Sequence, residues 1–171
     1  MTIEPDLHNQ ARSQVVVVLH ERSGVWARQL RARLDGAPVR WAETRSTAGL
    51  LEAVIGDATP VVLIEGGPDP EKALREVAQV VERGSSPLIM FIDPFDRLDV
   101  MDAARDLGVT RAVSGRVAPP EVAELIGRWI GLSAKAYASE GWSRPRPADP
   151  SRDPSAWIEE VIAAAAQRAD C

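Results

Sequence analysis

The chain reads as an α/β protein in which helices cover both faces of a five-stranded parallel sheet, and three observations predict this. Five short strand-like runs lie between residues 15 and 113, and most are continuously apolar and rich in Val and Ile, as strands buried on both faces are. Segments with apolar residues at helical spacing separate them, so strands and helices alternate. Three of the runs end in ionisable residues, at His20-Glu21, Glu65 and Asp93. Those side chains fall along the carboxyl edge, where open α/β sheets bind ligands.

The first strand is Val15-Val16-Val17-Val18-Leu19, a β-branched run. Ser23 is placed to cap a helix carrying Trp26, Leu30 and Leu34, which Gly36 ends. The second strand, residues 39–42, alternates apolar and polar positions and belongs at a sheet edge. Ser46 or Thr47 starts a helix bearing Leu50, Leu51, Val54 and Ile55, which stops near Gly56. Pro60 and the Gly66-Gly67 pair bound the third strand, residues 61–65. Asp69-Pro70 then supplies an N-cap and a first-turn proline for a helix whose apolar stripe is Leu74, Val77, Val80 and Val81, closed by Gly84. The fourth strand, residues 88–92, ends at Asp93-Pro94. Asp96 and Asp99 have capping-box spacing for a helix with Val100, Met101, Ala104 and Leu107, and Gly108 follows it. Residues 111–113 form a short fifth strand. Pro119-Pro120-Glu121 opens the last helix of the domain, with Val122, Leu125, Ile126 and Trp129 turned inward.

These elements define a domain over residues 14–132, preceded by a polar, flexible segment at 1–13. Beyond Leu132 the composition changes. Residues 133–153 are proline-rich and read as an extended linker. Residues 154–171 carry Trp157, Ile158, Val161 and Ile162 at helical spacing, an amphipathic helix too short to be stable alone in water. Trp142 and Trp157, with Ile158 and Val161, are candidate interaction residues, because large apolar side chains in such segments seek a docking surface in cis or on a partner.

Composition excludes several functions. A net charge of -5 argues against nucleic-acid binding through general electrostatics. No apolar stretch approaches the roughly 20 residues of a membrane span. Cys171 is the sole cysteine, so neither an intrachain disulfide nor a cysteine metal cluster forms, and an acidic N-terminus without an apolar core predicts a cytoplasmic location.

The loop chemistry points further. Residues 108–119, Gly-Val-Thr-Arg-Ala-Val-Ser-Gly-Arg-Val-Ala-Pro, lie without gaps on a family stretch of glycine, fifth strand, Thr-Lys-Pro-Phe and helix-opening proline. Pro87-Leu88-Ile89-Met90-Phe91 matches the same family's fourth strand. On these residues the chain resembles the receiver domain of bacterial response regulators over residues 15 to about 132. That resemblance implies a flavodoxin-like three-layer sandwich with strand order 2-1-3-4-5.

Receivers phosphorylate an aspartate after the third strand, hold Mg²⁺ on an acidic pair after the first, and read the phosphoryl group with a Thr or Ser and a Lys. Carried over by position, the resemblance puts Glu65 at the phosphoacceptor and His20 and Glu21 at the acidic pair. Ile92 stands at the hydroxyl residue, Gly115 at the lysine and Arg116 at the proline after it. Glu65 keeps a charge but lengthens the side chain by a methylene. Ile92 cannot donate a hydrogen bond and Gly115 cannot supply a cation, so a phosphoryl group would lack its usual partners. His20 is a poor ligand for Mg²⁺, which prefers oxygen.

Other chemistries are weaker. Glu21, Glu65 and Asp93 end three adjacent strands and are the candidate ligands of a divalent cation in a phosphoryl-transfer or hydrolytic enzyme, although no paired carboxylate motif supports them. His20 to Gly24 misses the Asp-x-His-x-x-Gly pattern of cobalamin domains, and Gly66-Gly67-Pro68 matches neither phosphate-loop pattern. The sequence thus predicts a non-catalytic, phosphorylation-independent receiver-like interaction module without a cofactor. Its expected partner is a protein. By resemblance, the face from the fourth helix to the fifth, residues 95–130, is the candidate surface for a homodimer.

Overall fold

The computed structural model describes residues 15–55, 59–83 and 86–139, with side chains through Lys135. Its strands are β1 (Val15–His20), β2 (Val39–Thr44), β3 (Val61–Glu65), β4 (Leu88–Asp93) and β5 (Arg111–Ser114). They pair in parallel in the order β2-β1-β3-β4-β5, the order expected from the sequence. The helices are α1 (Val25–Arg33), α2 (Thr47–Val54), α3 (Pro70–Glu82), α4 (Leu98–Asp106) and α5 (Pro119–Ser139).

Strand alternation divides the core into two layers. Val17, Leu19, Val61, Leu63, Met90 and Ile92 face α1 and α5, where they meet Trp26, Leu30, Val122, Ile126 and Trp129. Val18, Val62, Ile64, Ile89 and Phe91 face the other way and pack on Leu50, Val54, Val77, Val80, Val100 and Met101 of α2, α3 and α4. Burying a side chain of this size stabilises the fold by roughly 1.5–3 kcal/mol. The register Glu65↔Ile92 and Asp93↔Ser114 lines up the strand ends, so the loops after β1, β3, β4 and β5 share one edge.

Several local expectations are corrected. β2 runs two residues beyond Ala42, to Thr44, because its pairing with β1 continues to His20↔Thr44. Ser46 is the cap of α2 and accepts from the Gly49 amide. Val81 lies outside the buried stripe of α3, which is Ala73, Glu76, Val77 and Val80. The Asp96–Asp99 capping box does not form: Asp96 takes a left-handed φ of 57° and α4 begins after Arg97. α5 continues to Ser139, through residues assigned to the linker. The flexible segment at 1–13, the remainder of that linker, the C-terminal helix at 154–171, and Trp142, Trp157, Ile158 and Val161 lie outside the described residues.

Candidate functional site

The strand ends meet at the carboxyl edge, and each candidate residue there has a definite environment. Glu21 is buried and turned into its own chain. Its Oε2 accepts from the Trp26 amide at 2.8 Å and its Oε1 from the Ala27 amide at 2.6 Å. Both amides belong to the first turn of α1, which has no intrahelical acceptors for them. Glu21 is therefore the cap of α1, whereas Ser23 makes only a 3.4 Å contact with Val25 and Gly24 holds the N-cap backbone. A carboxylate there also complements the positive end of the helix dipole.

His20 leaves β1 on the opposite face and is 7% exposed. Its Nε2 lies 3.3 Å from Glu76 Oε2, and its Nδ1 is 2.9 Å from Thr44 Oγ1. A carboxylate only accepts, so Nε2 carries the proton and Nδ1 accepts from the threonine hydroxyl. Glu76 Oε1 accepts from Thr47 Oγ1 at 2.6 Å, and Lys72 Nζ stands 3.9 Å away. Burial lowers the His20 pKa below its ordinary value; Glu76 opposes that shift, and the charges of Lys72 and Arg22 reinforce it. His20 is thus a satisfied neutral imidazole within a hydrogen-bonded chain. Glu76 was missed in the sequence, although its place between Ala73 and Val77 on an apolar stripe marks it as a buried carboxylate.

Asp93 is fully buried and bound by Arg97. Its Oδ2 accepts from the Arg97 amide at 2.8 Å and from Arg97 Nε at 3.1 Å, and its Oδ1 pairs with the guanidinium at 2.5 Å. Burial pushes the carboxyl up, but the hydrogen bonds and charge of Arg97 outweigh it and hold its pKa below the ordinary value. The same guanidinium donates to Gly67 O at 2.9 Å and covers the Phe95 ring at 4.8 Å from its centroid. Arg97 thereby ties the loop after β4 to the loop after β3, a latch that no sequence motif announces.

The remaining positions are bare of such chemistry. Ile92 pairs with Glu65 across the sheet but is buried in the core layer under α1 and α5. Gly115 has a left-handed φ of 71° and donates its amide to Asp93 O at 2.8 Å. Glu65 is partly exposed, and its Oε2 accepts from the Arg22 amide at 3.5 Å. Among the described residues no group of three His, Cys, Asp or Glu side chains is arranged to hold a metal ion. Glu21 and Asp93 do not converge on Glu65, because helix amides and Arg97 engage their oxygens. Beside Glu65 a polar crevice opens between the β1 and β3 ends, and Arg22, Arg45 and Lys72 reach into it.

No family model matches the chain, and no curated protein matches it. Solved structures do match. The signal receiver domain of a putative LuxO repressor protein from Vibrio parahaemolyticus superposes with a TM-score of 0.62 at 8% identity, covering 75% of this chain and 98% of its own. A CheY-like receiver domain protein from Methanospirillum hungatei gives 0.61 at 9% identity, covering 72% and 99%. The receiver domain of the putative response regulator NarL from Mycobacterium tuberculosis gives 0.56 at 17% identity, covering 70% and 98%. These likenesses establish a receiver fold over the five-stranded domain.

Proposed function

We propose that the chain is a non-catalytic, receiver-like module of bacterial signalling or regulation that binds a protein partner without being phosphorylated. The observation that carries this reading is the state of the strand-end side chains. Glu21 caps a helix, Asp93 is locked to Arg97, Ile92 belongs to the core and Gly115 has no side chain. A phosphoryl group on Glu65 would lack a hydroxyl donor at Ile92 and a lysine at Gly115.

The partner surface is sought on the expected face, from the loop before α4 towards α5. Phe95 is 54% exposed and Leu98 72% exposed there, and the exposed Asp99, Asp102 and Arg105 give α4 both signs of charge. Apolar anchors within a charged rim suit a protein interface. A second copy of this chain is one candidate partner.

Affinity capture followed by binding measurements on the recovered partner tests the reading. Affinity is expected to survive Glu65→Gln and to fall at least tenfold with a Phe95→Ser, Leu98→Ser double substitution. Loss of the partner on Glu65→Gln alone, with the double variant still binding, would overturn it.

A further inference from the structure

We propose that the crevice between the ends of β1 and β3 binds a small phosphate-bearing ligand through Arg22, Arg45 and Lys72. The place follows from topology. With the order β2-β1-β3-β4-β5, the connection from β1 leads outward to β2 while β3 leads away to β4, so the loops diverge and leave an opening above the sheet.

The charges in the crevice are unevenly committed. Glu21 is held by the amides of α1, Glu76 by His20 and Thr47, and Asp69 caps α3 by accepting from the Lys72 amide. By contrast, no carboxylate among the described residues comes within ion-pair distance of Arg22 or Arg45. Among the described residues, Lys72 Nζ keeps only its 3.9 Å approach to Glu76. Two guanidinium groups and an ammonium therefore reach one polar opening with their charges little used.

Gly67 supplies an independent observation. Its φ is not left-handed, so the backbone does not demand glycine there. A Cβ at this position would come within 2.8 Å of a terminal nitrogen of Arg22 and 3.0 Å of its guanidinium carbon. The absent side chain makes room for that guanidinium over the loop. Guanidinium forks match phosphate oxygens in geometry, and a nearby ammonium adds a third charge suited to a dianion. Glu65 borders the same opening and can accept from a hydroxyl or ammonium group on the ligand. A phosphate monoester with an adjacent donor group satisfies both signs. Binding is non-covalent and goes beyond the interaction function.

The test is an amide chemical-shift titration of the purified chain at constant ionic strength, using inorganic phosphate in one arm and phosphoethanolamine in the other. Saturable shifts are expected at the Arg22 and Gly67 amides. Arg22→Gln and Arg45→Gln are each expected to weaken binding at least tenfold, and Gly67→Ala to weaken it by displacing Arg22. Arg105→Gln, on α4, should leave it unchanged. Tighter binding of the monoester, lost in Glu65→Gln, identifies an ester as the ligand; equal affinity identifies the free ion. The absence of saturation in both arms, or equal affinity in wild type and the arginine variants, would overturn the proposal. Because Arg22 and Arg45 are exposed, their thermal unfolding should match wild type. No partner is present, so this result is independent of the capture experiment.

Discussion

Glu21 closes the first turn of α1 by accepting from the amide of Trp26 at 2.8 Å, with Ala27 on its second oxygen at 2.6 Å. A carboxylate placed where a receiver keeps a metal ligand is here part of the scaffold. Removing it leaves two buried amides without acceptors, so Glu21→Ala should destabilise the fold by about 2 kcal/mol. Glu21→Gln keeps one acceptor oxygen and should lose roughly half as much. Urea denaturation of the two variants measures both losses.

His20 should titrate below its ordinary value, since its burial outweighs the pull of Glu76. Its folded pKa is lower than its unfolded one, so the unfolded chain binds the proton more readily. The stability contributed by neutral His20 is present above the unfolded pKa of about 6.5 and is lost as pH falls below it. NMR titration of the imidazole, assigned against His20→Gln, reads the midpoint directly. A midpoint at or above the unfolded value would contradict this environment.

Asp93 behaves with the same sign at lower pH. Arg97 holds its folded pKa below the ordinary carboxyl value, so its contribution is present above about pH 4 and disappears as pH falls through the folded value. Asp93→Asn should flatten the acid limb of the stability curve. It should also free Arg97 from Gly67, visible as a shift of the Gly67 amide resonance.

The strand core and the outward order of elements were legible because buried parallel strands and helix stripes have distinct periods. Val61–Ile64 and Val77–Val80 could hardly be read otherwise. The caps were less legible. Ser23 and Asp96 have the right residue types and spacing, yet Glu21 caps α1 from the end of β1 and α4 begins without a side-chain cap, since a side chain projecting from a strand end can reach helix amides that spacing rules do not consider. The positions of His20, Glu65, Ile92 and Gly115 were readable from pattern, but their partners were not. Glu76 and Arg45 come from elements remote in sequence from His20, and Arg97, four residues after Asp93, also reaches the distant Gly67, so only the packed sheet edge brings them to the site.

The glycine pair after β3 separates packing from function. A Cβ on Gly66 would approach Phe91 at 3.1 Å and both Asp93 Oδ1 and Ile92 O at 3.3 Å, all fixed by the core. Gly66→Ala should therefore cost about 1–3 kcal/mol. At Gly67 the obstacle is the mobile end of Arg22, so Gly67→Ala should stay within about 0.5 kcal/mol. Thermal unfolding of the pair gives the contrast.

The central claim, that the receiver fold persists here without phosphoryl chemistry, is tested most directly by intact-mass measurement after incubation with acetyl phosphate and Mg²⁺. The unmodified mass is predicted, because Glu65 has neither a hydroxyl at Ile92 nor a cation at Gly115 to support an acyl phosphate. A single phosphoryl adduct that disappears in Glu65→Gln would contradict the account.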